Sequence, residues 1–145
     1  MNDHYQRLER LFQEAPLNQG IFAGSVMKVS ESKAVYELAI DRKYFHAANA
    51  MHGAIYFKLL DDAAYFAAAS TETEFFILTK SYEIKFIRPV EEDNLRAEGE
   101  VLEQGERETK ARSVIYNSKG KKVAEGVGVF VKGPKRLSDL AGYKD

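Results

Sequence analysis

The stretch from His46 to Ser70, HAANAMHGAIYFKLLDDAAYFAAAS, constrains the fold more than any other part of the chain. It has no proline, and from Met51 onward Ala, Leu, Met and Lys dominate it, so its preference is strongly helical despite Gly53 near the start. Leu59, Leu60, Ala63, Ala64, Phe66 and Ala67 leave that helix little polar face, which makes it a core element. A core helix has no structural need for the adjacent acids Asp61 and Asp62. A carboxylate in such surroundings needs a partner and takes a shifted pKa. The two acids point about 100° apart around the helix, so they are expected to do different jobs, one buried and reactive, the other merely solvated.

His52 and Gly53 fall at the helix N-terminus, where backbone N–H groups lack intrahelical partners and carry the positive end of the helix dipole. Gly53 and Ala54 can therefore offer donors to an oxygen that gathers negative charge, and a glycine lets a ligand come close to the main chain. Asp61 lies nine positions after His52, roughly 13 Å along the axis, so one chain cannot bring both to one carbonyl. If both serve one site, two copies of the helix run antiparallel about a two-fold axis. The spacing then favours a homodimer with paired sites.

The 145 residues read as a single domain, with 1–20 as an N-terminal helical extension and 133–145 as a C-terminal tail. A formal net charge of -1 provides no basic field, so nucleic acid is not an expected partner. The absence of cysteine excludes disulfides, thiolate metal sites and thiol nucleophiles. No apolar run has the length of a membrane span and the first residues lack the apolar core of a signal peptide, so a cytoplasmic location without membrane attachment is expected. Leu8, Leu11 and Phe12 mark one face of a short helix closed by Pro16 and Gly20, expected to pack on the body. Ile21 to Val29 and Ala34 to Ile40 read as strands before the long helix. Phe75 to Ile87, Leu95 to Gln104, Thr109 to Asn117 and Lys122 to Val131 read as strands after it, separated by turn residues. An α+β fold follows, with an antiparallel six-stranded sheet wrapped on one long central helix.

That order of elements, with MHGAIYFKLLDDAAYFAAAS, then LTKSYEIKFIRPV, then RAEGEVLEQGERETKARSVIYNSKGKKVAEGVGVFV, resembles the hotdog-fold acyl-CoA thioesterases of the phenylacetate-pathway, PaaI-like group. The likeness spans roughly residues 20 to 132. It implies the hotdog fold, hydrolysis of an acyl-CoA thioester, no cofactor or metal, and a homodimer that can pair again into a tetramer. By the resemblance the catalytic acid falls on Asp61, acting as base or nucleophile across the dimer interface. The oxyanion glycine falls on Gly53, the helix-opening histidine on His52, and an assisting hydroxyl on Thr79.

The chain departs from the group's pattern at three places. His46 stands where an Asn is usual, Asn49 where a Gly is usual, and Ala54 in place of a second helix-start glycine. His46 can hold a water or thioester oxygen and exchange protons near neutral pH, or it is a packed surface histidine. His52 is either a structural cap or a participant, and Thr79 is a strand residue before it is a catalytic one. Arg88, Lys110, Arg112, Lys132, Lys135 and Arg136 are candidates for coenzyme A phosphates, Arg88 before Pro89 foremost, although basic residues among acids also make an ordinary solvated face. The aromatic residues Tyr56, Phe57, Tyr65, Phe66, Phe75 and Phe76 suit either an acyl pocket or plain core. Two rival functions stay open: a hydroxyacyl-thioester dehydratase pairing His46 with Asp61, and a non-catalytic acyl-CoA-binding module.

Overall fold

The computed structural model describes residues 2–144. Helix α1 (Asn2–Glu14) and the short α2 (Pro16–Gln19) precede strands β1 (Val26–Ser30) and β2 (Lys33–Ala39). The central helix α3 (Gly53–Ala69) follows, then β3 (Phe75–Phe86), β4 (Asn94–Gln104), β5 (Glu108–Tyr116) and β6 (Lys122–Arg136). The six strands form one antiparallel sheet in the order β1-β2-β4-β5-β6-β3. This is the α+β hotdog arrangement expected from the sequence, with α3 packed on the sheet, chiefly against β4, β5 and β2. No helix among the described residues is long and apolar enough to cross a membrane.

The contact between helix and sheet depends on small residues. Ala63, Ala64 and Ala67 of α3 are fully buried, as are Ala97 and Ala111 on the strands beneath them. At Gly99 in β4 the approach is closer still, since a Cβ there would lie 2.1 Å from the Ala63 carbonyl oxygen. Gly99→Ala is expected to cost about 1–3 kcal/mol because helix and strand must separate. Urea denaturation would register this as a lower midpoint, whereas an unchanged midpoint would mean that this contact does not set the helix-to-sheet spacing.

Three expectations need correction. The first strand begins at Val26, because Ile21 to Gly24 form a turn in which Ile21 is 60% exposed. Apolar content makes those residues resemble a strand, but no strand among the described residues pairs with them. The N-terminal segment holds two helices, with Pro16 opening the second, a position where its missing N–H is harmless. The last strand runs past Val131 to Arg136, so part of the tail expected from residue 133 is strand, held by its pairing with β3.

Strand β3 ends one side of the sheet, and its pairing with β6 carries a bulge between Thr79 and Ser81. Lys80 is the extra residue, and it shifts the phase of the side chains by one. Before the bulge Ile77 and Thr79 turn toward α3, and after it Tyr82 does so, its hydroxyl meeting the Leu60 carbonyl at 3.4 Å. The outer edge of β3 has no strand neighbour among the described residues.

Candidate active site

The structure divides the sequence-derived candidates into two groups at different heights along α3. The first surrounds the helix start. His52 is the N-cap, and its Nδ1 accepts the Ala54 N–H at 2.9 Å. The structural role of His52 as a helix-opening cap is therefore present. It also engages the Ala54 donor, which leaves Gly53 N–H as the donor of that pair without a hydrogen bond among the described residues. Nothing in the chain's own packing demands a glycine here, because a Cβ on Gly53 would meet only the Phe86 ring at 3.6 Å, an ordinary contact.

His46 and Asn49 shape the loop that enters this helix. The His46 N–H donates to Ala50 O at 2.9 Å, and its exposed ring accepts the Ala48 N–H at 3.0 Å through Nδ1. Asn49 has a φ of 66°, in the left-handed region that Gly and Asn tolerate best. Its occurrence at a position where glycine is usual thus has a backbone reason. Arg88 joins this group through its main chain, with the Tyr56 hydroxyl donating to Arg88 O at 2.8 Å, while its Nε donates to Lys122 O at 3.1 Å.

The second group is Asp61 and Thr79. The Thr79 hydroxyl donates to Asp61 Oδ1 at 2.9 Å. Burial pushes the Asp61 carboxyl up from 3.8 to about 6; the Thr79 hydrogen bond opposes that rise, neighbouring Asp62 adds to it, and Lys58 opposes it. Asp61 lies eight positions after Gly53, about 12 Å of helix. The two groups therefore do not meet within one chain.

Asp62 is not the solvated neighbour the sequence suggested. It forms an ion pair with Lys58 one turn earlier, and Lys58 Nζ also donates to Asn18 Oδ1 at 2.7 Å. The ammonium lies over the rings of Phe22, Phe12 and Tyr36, at 5.0, 5.2 and 5.4 Å from their centroids. Helix α2 folds over this pair, which explains the difference: a lysine four residues before an acid reads as a surface pair unless something covers it. Burial raises the Asp62 pKa as well, against the pull of Lys58.

Asp61 and Thr79 open onto a cleft of about 720 Å³. Its walls include Tyr65, Phe66 and Phe76, so the aromatic residues serve both core and cleft. No local pattern marked the other walls, which come from Leu11, Ala15 and Leu17 in the N-terminal helices and Leu140 to Gly142 in the tail. Of the basic candidates, Lys132 pairs with Glu72, Arg136 with Glu74 and Arg112 with Glu100, as a solvated face would. Lys135 lines the cleft rim. No group of three or more His, Asp or Glu side chains among the described residues is placed to hold a metal ion.

A family model described as the thioesterase superfamily matches residues 48–124, just over half of the chain. No curated protein matches it. Among solved structures, the PaaI protein from the phenylacetic acid degradation operon of E. coli is similar at 21% identity and a TM-score of 0.81, over 93% of this chain and 96% of that one. Zebrafish thioesterase superfamily member 2 is 18% identical with a TM-score of 0.76, over 88% and 94% of the two chains. A Streptococcus mutans protein with acetyl-CoA bound is 19% identical with a TM-score of 0.72, over 79% and 93%. At these identities the structural likeness speaks for the fold alone.

Proposed function

This chain belongs to the thioesterase superfamily, and we propose that it hydrolyses an acyl-CoA thioester to the free acid and CoA, in a homodimer whose subunits share each site. The observation that carries the reading is Asp61, a carboxyl raised to about 6 and held by Thr79 at 2.9 Å on the wall of a largely apolar cleft. The acetyl-CoA bound to the Streptococcus mutans relative supports acyl-CoA as the substrate class.

In this reading the Asp61 carboxylate takes a proton from water as the water oxygen adds to the thioester carbonyl carbon. The carbonyl oxygen becomes an oxyanion on the partner subunit's Gly53 N–H, at the positive end of a helix. Collapse of the tetrahedral intermediate breaks the carbon–sulfur bond, and the departing thiolate takes up the proton that Asp61 accepted from water, leaving as CoA and restoring the carboxylate. A carboxylate with a pKa near 6 is a stronger base than an ordinary one and is still ionised at neutral pH, which favours the base role.

The free edge of β3 supports the shared site. Leu78 and Phe86 on that strand are 45% and 57% exposed, and a second copy would cover them. If two β3 strands pair antiparallel about a two-fold axis near Tyr82 and Glu83, the partner subunit's Phe86 comes opposite Thr79. Phe86 lies against Gly53 in its own chain, as Thr79 bonds Asp61. The partner subunit's Gly53 then arrives beside Asp61. The dehydratase pairing would draw on the same composite geometry, but the His46 ring it needs is exposed and its Nδ1 is engaged by the Ala48 N–H of its own loop.

Release of free CoA from acyl-CoAs, followed with a thiol reagent, tests the reading, and a chain without cysteine adds no background. Activity should rise with pH with a midpoint at about 6, because Asp61 must be ionised. Thr79→Val should move that midpoint upward, since the Thr79 hydrogen bond holds it down. No release from any acyl-CoA, or a flat profile between pH 5 and 8, would reject the assignment of Asp61.

A further inference from the structure

The cleft beside Asp61 extends into a chamber that the proposed chemistry does not use. Leu11, Ala15 and Leu17 of the N-terminal helices line one side, Leu140 and Gly142 of the tail line the other, and Phe76 contributes to the wall between them. The two sides meet at Gly142, where a Cβ would lie 3.2 Å from Leu11 Cδ1 and 3.3 Å from Leu11 Cα. The tail is thus pressed directly on α1.

That seam is bonded as well as packed. Arg10 donates from Nε to Gly142 O at 2.9 Å and from Nη2 to Tyr143 O at 2.7 Å. His4, which is buried, meets the Tyr143 hydroxyl through Nδ1 at 2.8 Å and Ala69 O at the end of α3 through Nε2 at 2.9 Å. On the other flank Asn18 is tied to the Lys58–Asp62 pair and donates to Phe12 O at 2.9 Å. The roof over the chamber is therefore anchored to the same helix that carries Asp61.

Away from Asp61 and Thr79 the chamber offers no spare buried side-chain polar atom among the described residues. Asn18, Lys58 and Asp62 satisfy one another, and the Tyr65 hydroxyl donates to Ile77 O at 2.6 Å. No buried side-chain polar atom among the described residues is left without a partner. The charged groups Glu14 and Lys135 stand exposed at the rim. A hydroxyl or carboxylate carried past Asp61 and Thr79 to the Leu11–Gly142 end would exchange water for apolar contact without a side-chain bond in return, whereas a hydrocarbon would lose nothing. At about 720 Å³ the whole cleft, this end included, far exceeds an acetyl group. A single ring on a short linker would leave the Leu11–Gly142 end unfilled and forfeit apolar contact there.

We propose that the chamber under α1, α2 and the tail is the acyl-chain pocket, selecting unsubstituted medium-length aliphatic acyl-CoAs over acetyl-CoA and over hydroxylated or aryl acyl groups. The assignment rests on the thioesterase reading above. Ala15, half-buried between α1 and α2, and Leu140 of the tail set the dimensions of the pocket from its two sides.

The test is kcat/KM for acetyl-, hexanoyl-, decanoyl-, 10-hydroxydecanoyl- and phenylacetyl-CoA, with wild type, Ala15→Trp and Leu140→Ala. Decanoyl-CoA should be the best substrate of the wild type, since a hexanoyl chain, no longer than phenylacetyl, also leaves the Leu11–Gly142 end unfilled. Ala15→Trp should lower the decanoyl-to-acetyl ratio at least about tenfold, and Leu140→Ala should raise the preference for the longer of the two chains. A thermal melt of each variant shows whether it is folded, and the opposite directions expected of the two variants separate pocket shape from general damage. Hydrolysis whose chain-length profile neither folded variant moves would overturn the pocket and leave the thioesterase standing. So would a wild-type preference for acetyl-, hydroxyacyl- or phenylacetyl-CoA. Absence of hydrolysis from every thioester would overturn the underlying reading itself.

Discussion

Replacing Asp61 by asparagine is expected to lower CoA release by roughly a hundred- to ten-thousandfold and, in the same molecule, to raise the stability of the fold at neutral pH. Both effects have one cause. Burial keeps the carboxyl about two units above its ordinary value, so ionising it in the folded state opposes folding. Between 3.8, the ordinary value, and about 6, the unfolded chain releases its proton while the folded chain still holds it. Stability therefore falls as pH rises through that window and stays reduced above it. The full cost, at 1.36 kcal/mol for each pKa unit, approaches about 3 kcal/mol.

Asparagine has nearly the same shape, can still accept the Thr79 hydroxyl and has no charge to desolvate. Urea denaturation at pH 8 should give the variant up to about 3 kcal/mol over wild type. The advantage should shrink as pH falls below about 6 and vanish near the ordinary carboxyl value. A variant that is inactive and less stable at pH 8 would mean that Asp61 is a structural residue whose loss damages the site indirectly. A variant with full activity would remove Asp61 from the chemistry.

The parts of this structure that were legible in the sequence are those with a local signal. The helix from Gly53 to Ala69 was marked by composition and by the His52 cap, and the strands by alternation and turn residues. Lys132 to Arg136, reading KGPKR, has no strand signal at all, and only the distant pairing with β3 extends β6 through it. Ile21 misled in the opposite direction, being apolar but exposed. Asp61 stood out because an acid in an apolar helix is unusual, yet its bond to Thr79 depends on a bulge at Lys80 that nothing in KSYEIKF announces. Without that bulge Thr79 and Tyr82 would face opposite sides of the sheet. The chamber roof was the least legible feature, since it joins His4 to Tyr143 across 139 positions of the chain.

The composite site can be tested by assembling one from two broken halves. Gly53→Val keeps Asp61 but places side-chain bulk where the substrate oxygen must approach, and the space beside Phe86 admits a Cβ at 3.6 Å, so the fold should tolerate it. Asp61→Asn keeps the open glycine but has no base. Each homodimer should be nearly inactive. When the two variants are co-expressed with different affinity tags and the doubly tagged species is purified, one of its two sites pairs an intact Asp61 with the partner subunit's intact Gly53. That species should show about half the wild-type activity per dimer, because the other site carries both defects. If each site lay within a single chain, every subunit of the mixed dimer would carry a defect and the activity would stay near zero. Recovery therefore requires that the acid and the oxyanion donor come from different chains, as the roughly 12 Å of helix between them demands.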